Sequence, residues 1–254
     1  MIDRSGSQNG LLINPTGLTE ASDAGDGLLL DPSVQGRAGF ARTAVDLVFV
    51  IDTTGSMSDK IAGLVASCTT FADRFAAQDL DWRIALVAFG DLTVRGDRIM
   101  ASGYTHDITR VHRELGALPP NSGGGNDGES SLEAIEKMIG LGARADALRL
   151  AILLTDEPPL DHRGAKLASV LGQLTRAKIL TFTVAPDLPA YRRIAAETGG
   201  RWFPIAAGSD FSSILDMFAR VVASVTATVS QIQLEAGGDV ERYLALPAGR
   251  REGR

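Results

Sequence analysis

Asp52, Thr54 and Ser56 stand at alternate positions directly after an unbroken apolar run, Leu47-Val48-Phe49-Val50-Ile51. A carboxylate and two hydroxyls are hard oxygen donors, suited to Mg²⁺, Mn²⁺ or Ca²⁺ rather than to zinc or copper. On a short loop alternate residues can point to one side, so a single turn can offer three oxygens to one ion. A second carboxylate, Asp156, holds a matching place at the end of another apolar run, Leu148 to Leu154. Glu129 follows the glycine loop Gly123-Gly124-Gly125-Asn126-Asp127-Gly128 and opens an expected helix. Plainer roles compete at each position. Thr54 and Ser56 could simply turn the chain and cap a helix, Asp156 could turn it before Pro158, and Glu129 could cap its own helix.

The elements around these residues must bring them together. A run of Val, Ile, Leu and Phe without alternation suits a strand buried on both faces, as in a parallel sheet covered by helices. Gly55 permits a tight turn, and Ile61, Leu64, Val65, Cys68, Phe71, Ala72 and Phe75 then keep helical spacing. The candidate loop thus lies at the carboxyl end of a sheet, where open α/β sheets bind ligands. Further strands are expected at Trp82–Phe89, around Arg98–Ala101, at Leu148–Leu154, at Ile179–Val184 and at Arg201–Phe203. Helices are expected around Ile108–Leu118, Leu132–Ile139, Leu167–Leu174, Leu188–Thr198 and Phe211–Val225. The reading is one α/β domain over 43–228: a Rossmann-like, doubly wound, mostly parallel six-stranded sheet with helices on both faces. Residues 1–42 read as a flexible Gly/Asp/Ser-rich arm with two apolar patches, Leu11-Leu12-Ile13 and Leu28-Leu29-Leu30. Residues 229–254 read as a tail that begins β-like at Val229, Ile232 and Leu234.

Asp52-Thr53-Thr54-Gly55-Ser56, in its strand-to-helix setting, resembles the metal-ion-dependent adhesion site of von Willebrand factor A domains, whose signature is Asp-x-Ser/Thr-x-Ser. The resemblance implies a divalent ion held by Asp52, Thr54 and Ser56, with Asp156 completing the site directly or through water. Many members add a Thr after a Gly-Gly pair, and here the matching position is Glu129. That departure matters, since an ion that already holds Glu129 or Asp127 attracts an outside anion less. Glu129, Asn126 and Asp127 all stay open as contacts. The resemblance further implies a protein-binding module whose partner, another protein, presents an Asp or Glu to the Mg²⁺, Mn²⁺ or Ca²⁺ ion. Intracellular bacterial proteins of this type often work beside an AAA-type ATPase, or beside a kinase or phosphatase. The alternatives are a scaffold with a purely structural ion and a haloacid-dehalogenase-like phosphatase.

Composition narrows the choice. The chain has 254 residues, 44% hydrophobic and 22% charged, with a net charge of -6. The acidic balance and the lack of a basic stripe argue against nucleic acid. No apolar run reaches the length of a membrane span, and the first residues lack a signal-peptide pattern, so a cytoplasmic location is expected. Cys68 is the lone cysteine and excludes an internal disulfide. No Lys-Ser or Lys-Thr follows the glycine loop, and Thr54 stands where a dehalogenase-like enzyme needs its second Asp. His106, His112 and His162 show no metal-ligand spacing. The expectation is therefore a non-enzyme.

Overall fold

The computed structural model describes residues 43–78, 80–124, 128–161, 166–205 and 211–247, without the side chains of 211–219 and 222. Residues 1–42, Asn126, Asp127, His162 and the last arginines lie outside the described residues. Six strands form one sheet in the order β3-β2-β1-β4-β5-β6. They are β1 (Ala44–Asp52), β2 (Asp81–Phe89), β3 (Met100–Ala101), β4 (Leu148–Leu154), β5 (Ile179–Ala185) and β6 (Trp202–Pro204). Only β3, at the edge, runs antiparallel. The doubly wound, mostly parallel α/β expectation holds.

Burial explains why β1 reads as an uninterrupted apolar run. Val45, Leu47, Phe49 and Ile51 join one core cluster, while Val48 and Val50 join the other. Both faces are covered, so neither can be polar. The first face packs on α1 (Ile61–Ala76), α2 (Ile108–Gly116) and α6 (Phe211–Ala236). The second packs on α3 (Ser131–Ile139), α4 (Leu167–Arg176) and α5 (Pro189–Thr198). Cys68 is fully buried in the first cluster, and that burial pushes its thiol pKa up.

Register places the site. Asp52 pairs with Phe89 of β2, and Ile51 pairs with Leu154 of β4. The strand ends are therefore level, and Asp52, Asp91 and Asp156 all emerge at one rim.

One expectation fails. The segment after 228 is not β-like: α6 continues to Ala236, and α7 (Val240–Leu244) follows. Val225, Val229, Ile232 and Ala236 are all buried at helical spacing, so one face of a longer helix carries them. Between β1 and α1 the chain also makes a single 3₁₀ turn, Gly55–Met57, before the helix proper. Met57 plugs that turn into the core at 0% exposure.

At the other end of β1, Asp46 is wholly buried and grips two arginines. Arg83 donates to its two oxygens at 3.0 and 2.6 Å. Arg144 adds its backbone N–H at 2.7 Å and its Nε at 3.0 Å. Burial alone would raise the Asp46 pKa, but these donors outweigh it and hold the carboxyl below its ordinary range.

Candidate metal centre

The rim above β1 and β4 carries a continuous line of oxygens. Asp52 is fully buried, and its Oδ1 accepts from the Thr54 N–H at 3.0 Å and from Thr54 Oγ1 at 2.6 Å. Its Oδ2 accepts from Thr155 Oγ1 at 2.7 Å. Ser56 Oγ donates to Asp156 Oδ1 at 2.8 Å. Thr54 Oγ1 and Ser56 Oγ lie 3.2 Å apart. Four of the expected residues, Asp52, Thr54, Ser56 and Asp156, are thus brought together from two crossovers.

The direction of these bonds matters. Each hydroxyl has one proton, and each spends it on a carboxylate. With their protons on Asp52 and Asp156, Thr54 Oγ1 and Ser56 Oγ keep lone pairs able to accept. Two neighbouring ligands of an octahedral Mg²⁺ at about 2.1 Å lie about 3.0 Å apart, close to the spacing seen.

Burial pushes the Asp52 pKa up to about 6, against the hydrogen bonds from Thr54 and Thr155. Loss of one of those donors leaves a buried carboxylate oxygen unpaired. Thr155→Val is expected to cost about 1–2 kcal/mol of stability, read from urea unfolding without divalent ions.

Glu129 reaches the same rim from the loop before α3. It is 4% exposed. A Cβ on Gly123 would sit 3.0 Å from Glu129 Oε1 and 3.2 Å from the Thr54 Cβ, so the carboxylate and the hydroxyl loop flank one glycine. That glycine has φ of +74°, the left-handed conformation glycine tolerates. Glu129 Oε2 is buried without a hydrogen-bond partner among the described residues. Its pKa is pushed up to about 8, first by burial and then by Asp52, Asp91, Asp97 and Glu157. A buried carboxylate oxygen with nothing to accept from, among other acids, fits a cation ligand. Two backbone bonds pin this residue to the β4 loop. The Glu129 N–H donates to the Pro158 carbonyl at 2.9 Å, and the Leu160 N–H donates to the Glu129 carbonyl at 2.7 Å.

Three contributors escaped the sequence reading. Thr155 was visible only as the neighbour of Asp156, although its hydroxyl supports Asp52. Lys60 looked like a helix opener, yet its Nζ bonds Asp156 Oδ2 at 3.1 Å. Tyr191, fully buried on α5, donates to the Glu157 carbonyl at 2.7 Å and meets Ser131 Oγ at 3.1 Å. No sequence spacing could have announced these long-range contacts. His106 is exposed and His112 pairs with Asp73 at 2.8 Å, away from the rim. Among the described residues no three His, Cys, Asp or Glu side chains group to hold a metal; the rim set depends on hydroxyls.

A family model for the von Willebrand factor type A domain matches residues 46–220. Among solved structures, the chain is similar to proximal thread matrix protein 1 of the mussel byssus. One crystal form aligns with a TM-score of 0.55 and 18% identity over 71% of this chain and 45% of that one. The same mussel protein with a zinc-occupied MIDAS motif aligns with a TM-score of 0.56 and 18% identity, over 72% and 45%. The chain thus spans less than half the length of that protein, and a likeness at this identity is one of fold. A comparison with curated proteins gave no match. No described helix is long and apolar enough to cross a membrane. With the family model covering most of the chain and the fold agreeing, this chain belongs to the von Willebrand factor type A domain family.

Proposed function

We propose that this chain is a divalent-metal-dependent protein-binding module without catalytic chemistry of its own. One observation carries the reading: Thr54 and Ser56 turn their hydroxyl protons to Asp52 and Asp156, leaving two oxygens 3.2 Å apart to face a cation. Thr54, Ser56 and Glu129 would hold the ion, with Asp52 and Asp156 polarising the hydroxyls. The bound ion supplies a Lewis-acidic point that a partner's carboxylate can join. Hydroxyl and carboxylate donors favour Mg²⁺, Mn²⁺ or Ca²⁺; the mussel protein holds zinc in its own motif.

Beside the loop lies a small apolar cleft of about 190 Å³ lined by Thr53, Thr54, Ile61, Leu118, Pro119 and Pro120. It suits an apolar side chain next to the partner's acid, which favours a protein over a small anion. The cytoplasmic setting, and a partner such as an AAA-type ATPase, kinase or phosphatase, belong to this same proposal.

The test has two arms. Mn²⁺ binding, followed by calorimetry, should be lost in Asp52→Ala while circular dichroism stays unchanged. Proteins co-purifying in Mg²⁺ should be released by chelator, and retention at unchanged fold would favour a scaffold with a structural ion.

A further inference from the structure

Lys60 is an ammonium in an enclosed place. It is only 5% exposed. Its Nζ donates to the Ser56 carbonyl at 2.9 Å, to Asp156 Oδ2 at 3.1 Å and to Asp59 Oδ1 at 3.2 Å. An ammonium has three donors, and all three are engaged. Two of them hold the metal loop and the β4 loop, so the side chain is fixed at the rim. Asp156 has both oxygens taken, one by Ser56 and one by Lys60.

Glu129 flanks the hydroxyl loop beside Gly123 and brings a carboxylate where a Thr would bring a neutral hydroxyl. The rim therefore holds the acids Asp52, Asp91, Asp156 and Glu129, with Lys60 as the ammonium bonded to Asp156. Fixed charges a few ångströms from an ion shift its affinity by about tenfold or more each when solvent is largely excluded.

We propose that Lys60 and Glu129 are compensating charges at the metal centre that together set its cation affinity. Glu129 adds one negative charge to the aspartates, and Lys60 offsets it. Lys60 is a positioning residue for Asp156 as well, but its charge works against the ion. This inference rests on the metal reading above, and it deepens that reading by naming what tunes the site.

Mn²⁺ titration of the full chain by isothermal calorimetry tests it, with the rise in melting temperature on Mn²⁺ addition as a second readout. Lys60→Met should bind Mn²⁺ about tenfold more tightly than wild type, and Glu129→Gln about tenfold more weakly. The double variant, with the wild-type net charge, should return to within about threefold of wild type. Lys60→Gln, which keeps donors without charge, should follow Lys60→Met; it serves if the Met variant folds poorly. Equal or weaker binding by well-folded Lys60→Met and Lys60→Gln overturns the charge-pair inference and makes Lys60 a structural tie. Absence of Mn²⁺ binding by wild type itself would instead overturn the metal reading.

Discussion

Without divalent cations and at mildly alkaline pH, Glu129→Gln should melt about 4–8 °C above the wild type, a gain of about 2 kcal/mol. The reason is the orphaned Oε2 among Asp52, Asp91, Asp97 and Glu157. Folding makes ionisation of this carboxyl harder, raising its pKa from 4.5 to about 8. The unfolded chain ionises near the lower value and the folded chain only near the higher one. The stabilising contribution of the protonated group is thus complete at pH below the unfolded pKa. It is lost progressively as pH rises through the folded one. Metal-free protein should be more stable near pH 5 than near pH 8, and the Gln variant should show a flatter profile. Mg²⁺ reverses the sense, since an ion favours the ionised carboxylate. Wild type should gain more from Mg²⁺ as pH rises, and Glu129→Gln should gain much less. Differential scanning fluorimetry in chelator and in Mg²⁺ reads all four conditions. Equal Mg²⁺ shifts in both proteins would remove Glu129 from the centre.

Asp46→Ala should cost about 3–5 kcal/mol, because it strands two partly buried arginines that now share one carboxylate. Asp46 faces Arg83 across the β1–β2 pairing and takes Arg144 from the loop before β4. Arg144 also donates to the Asp81 carbonyl at 2.7 Å, and Arg83 lies 4.8 Å over the Tyr104 ring. One acid thereby ties three strand beginnings. Its lowered pKa means that its stabilisation is present above the ordinary 3.8 and is lost as pH falls through the depressed value. Urea unfolding should show the loss near neutrality, and the acid-unfolding limb should be blunted in the variant. Mn²⁺ affinity should stay close to wild type, since Asp46 and Asp52 stand at opposite ends of β1.

The strands carrying the site were legible because they are buried on both faces, leaving runs such as Leu47–Ile51 and Leu150–Leu154 with no polar interruption. The Asp-x-Thr-x-Ser spacing marked the loop, and Asp156 followed from its place after β4. Glu129 could be reached as the position matching the family's Thr after the glycine pair, but its unpaired oxygen depends on side chains far apart in sequence. Lys60 and Asp156 are 96 positions apart, so only the fold can join them. The end of the chain misled for a local reason. Val229 and Ile232 are buried, but Leu234 is 85% exposed. Reading those three as one β face hid the helical set formed by Val225, Val229, Ile232 and Ala236.

The von Willebrand match stops at residue 220, inside α6. At 26 residues this helix is about 39 Å long, against about 30 Å for the nine-residue β1. Val225, Val229, Ile232 and Ala236, with Val240 and Tyr243 of α7, complete the same cluster as Phe71, Phe75 and Leu80. An excised 46–220 fragment would bare a greasy floor beneath the first helical layer. Recombinant work confined to the recognised span should therefore meet clumping and low yield, whereas carrying the chain to about residue 247 keeps that underside sealed.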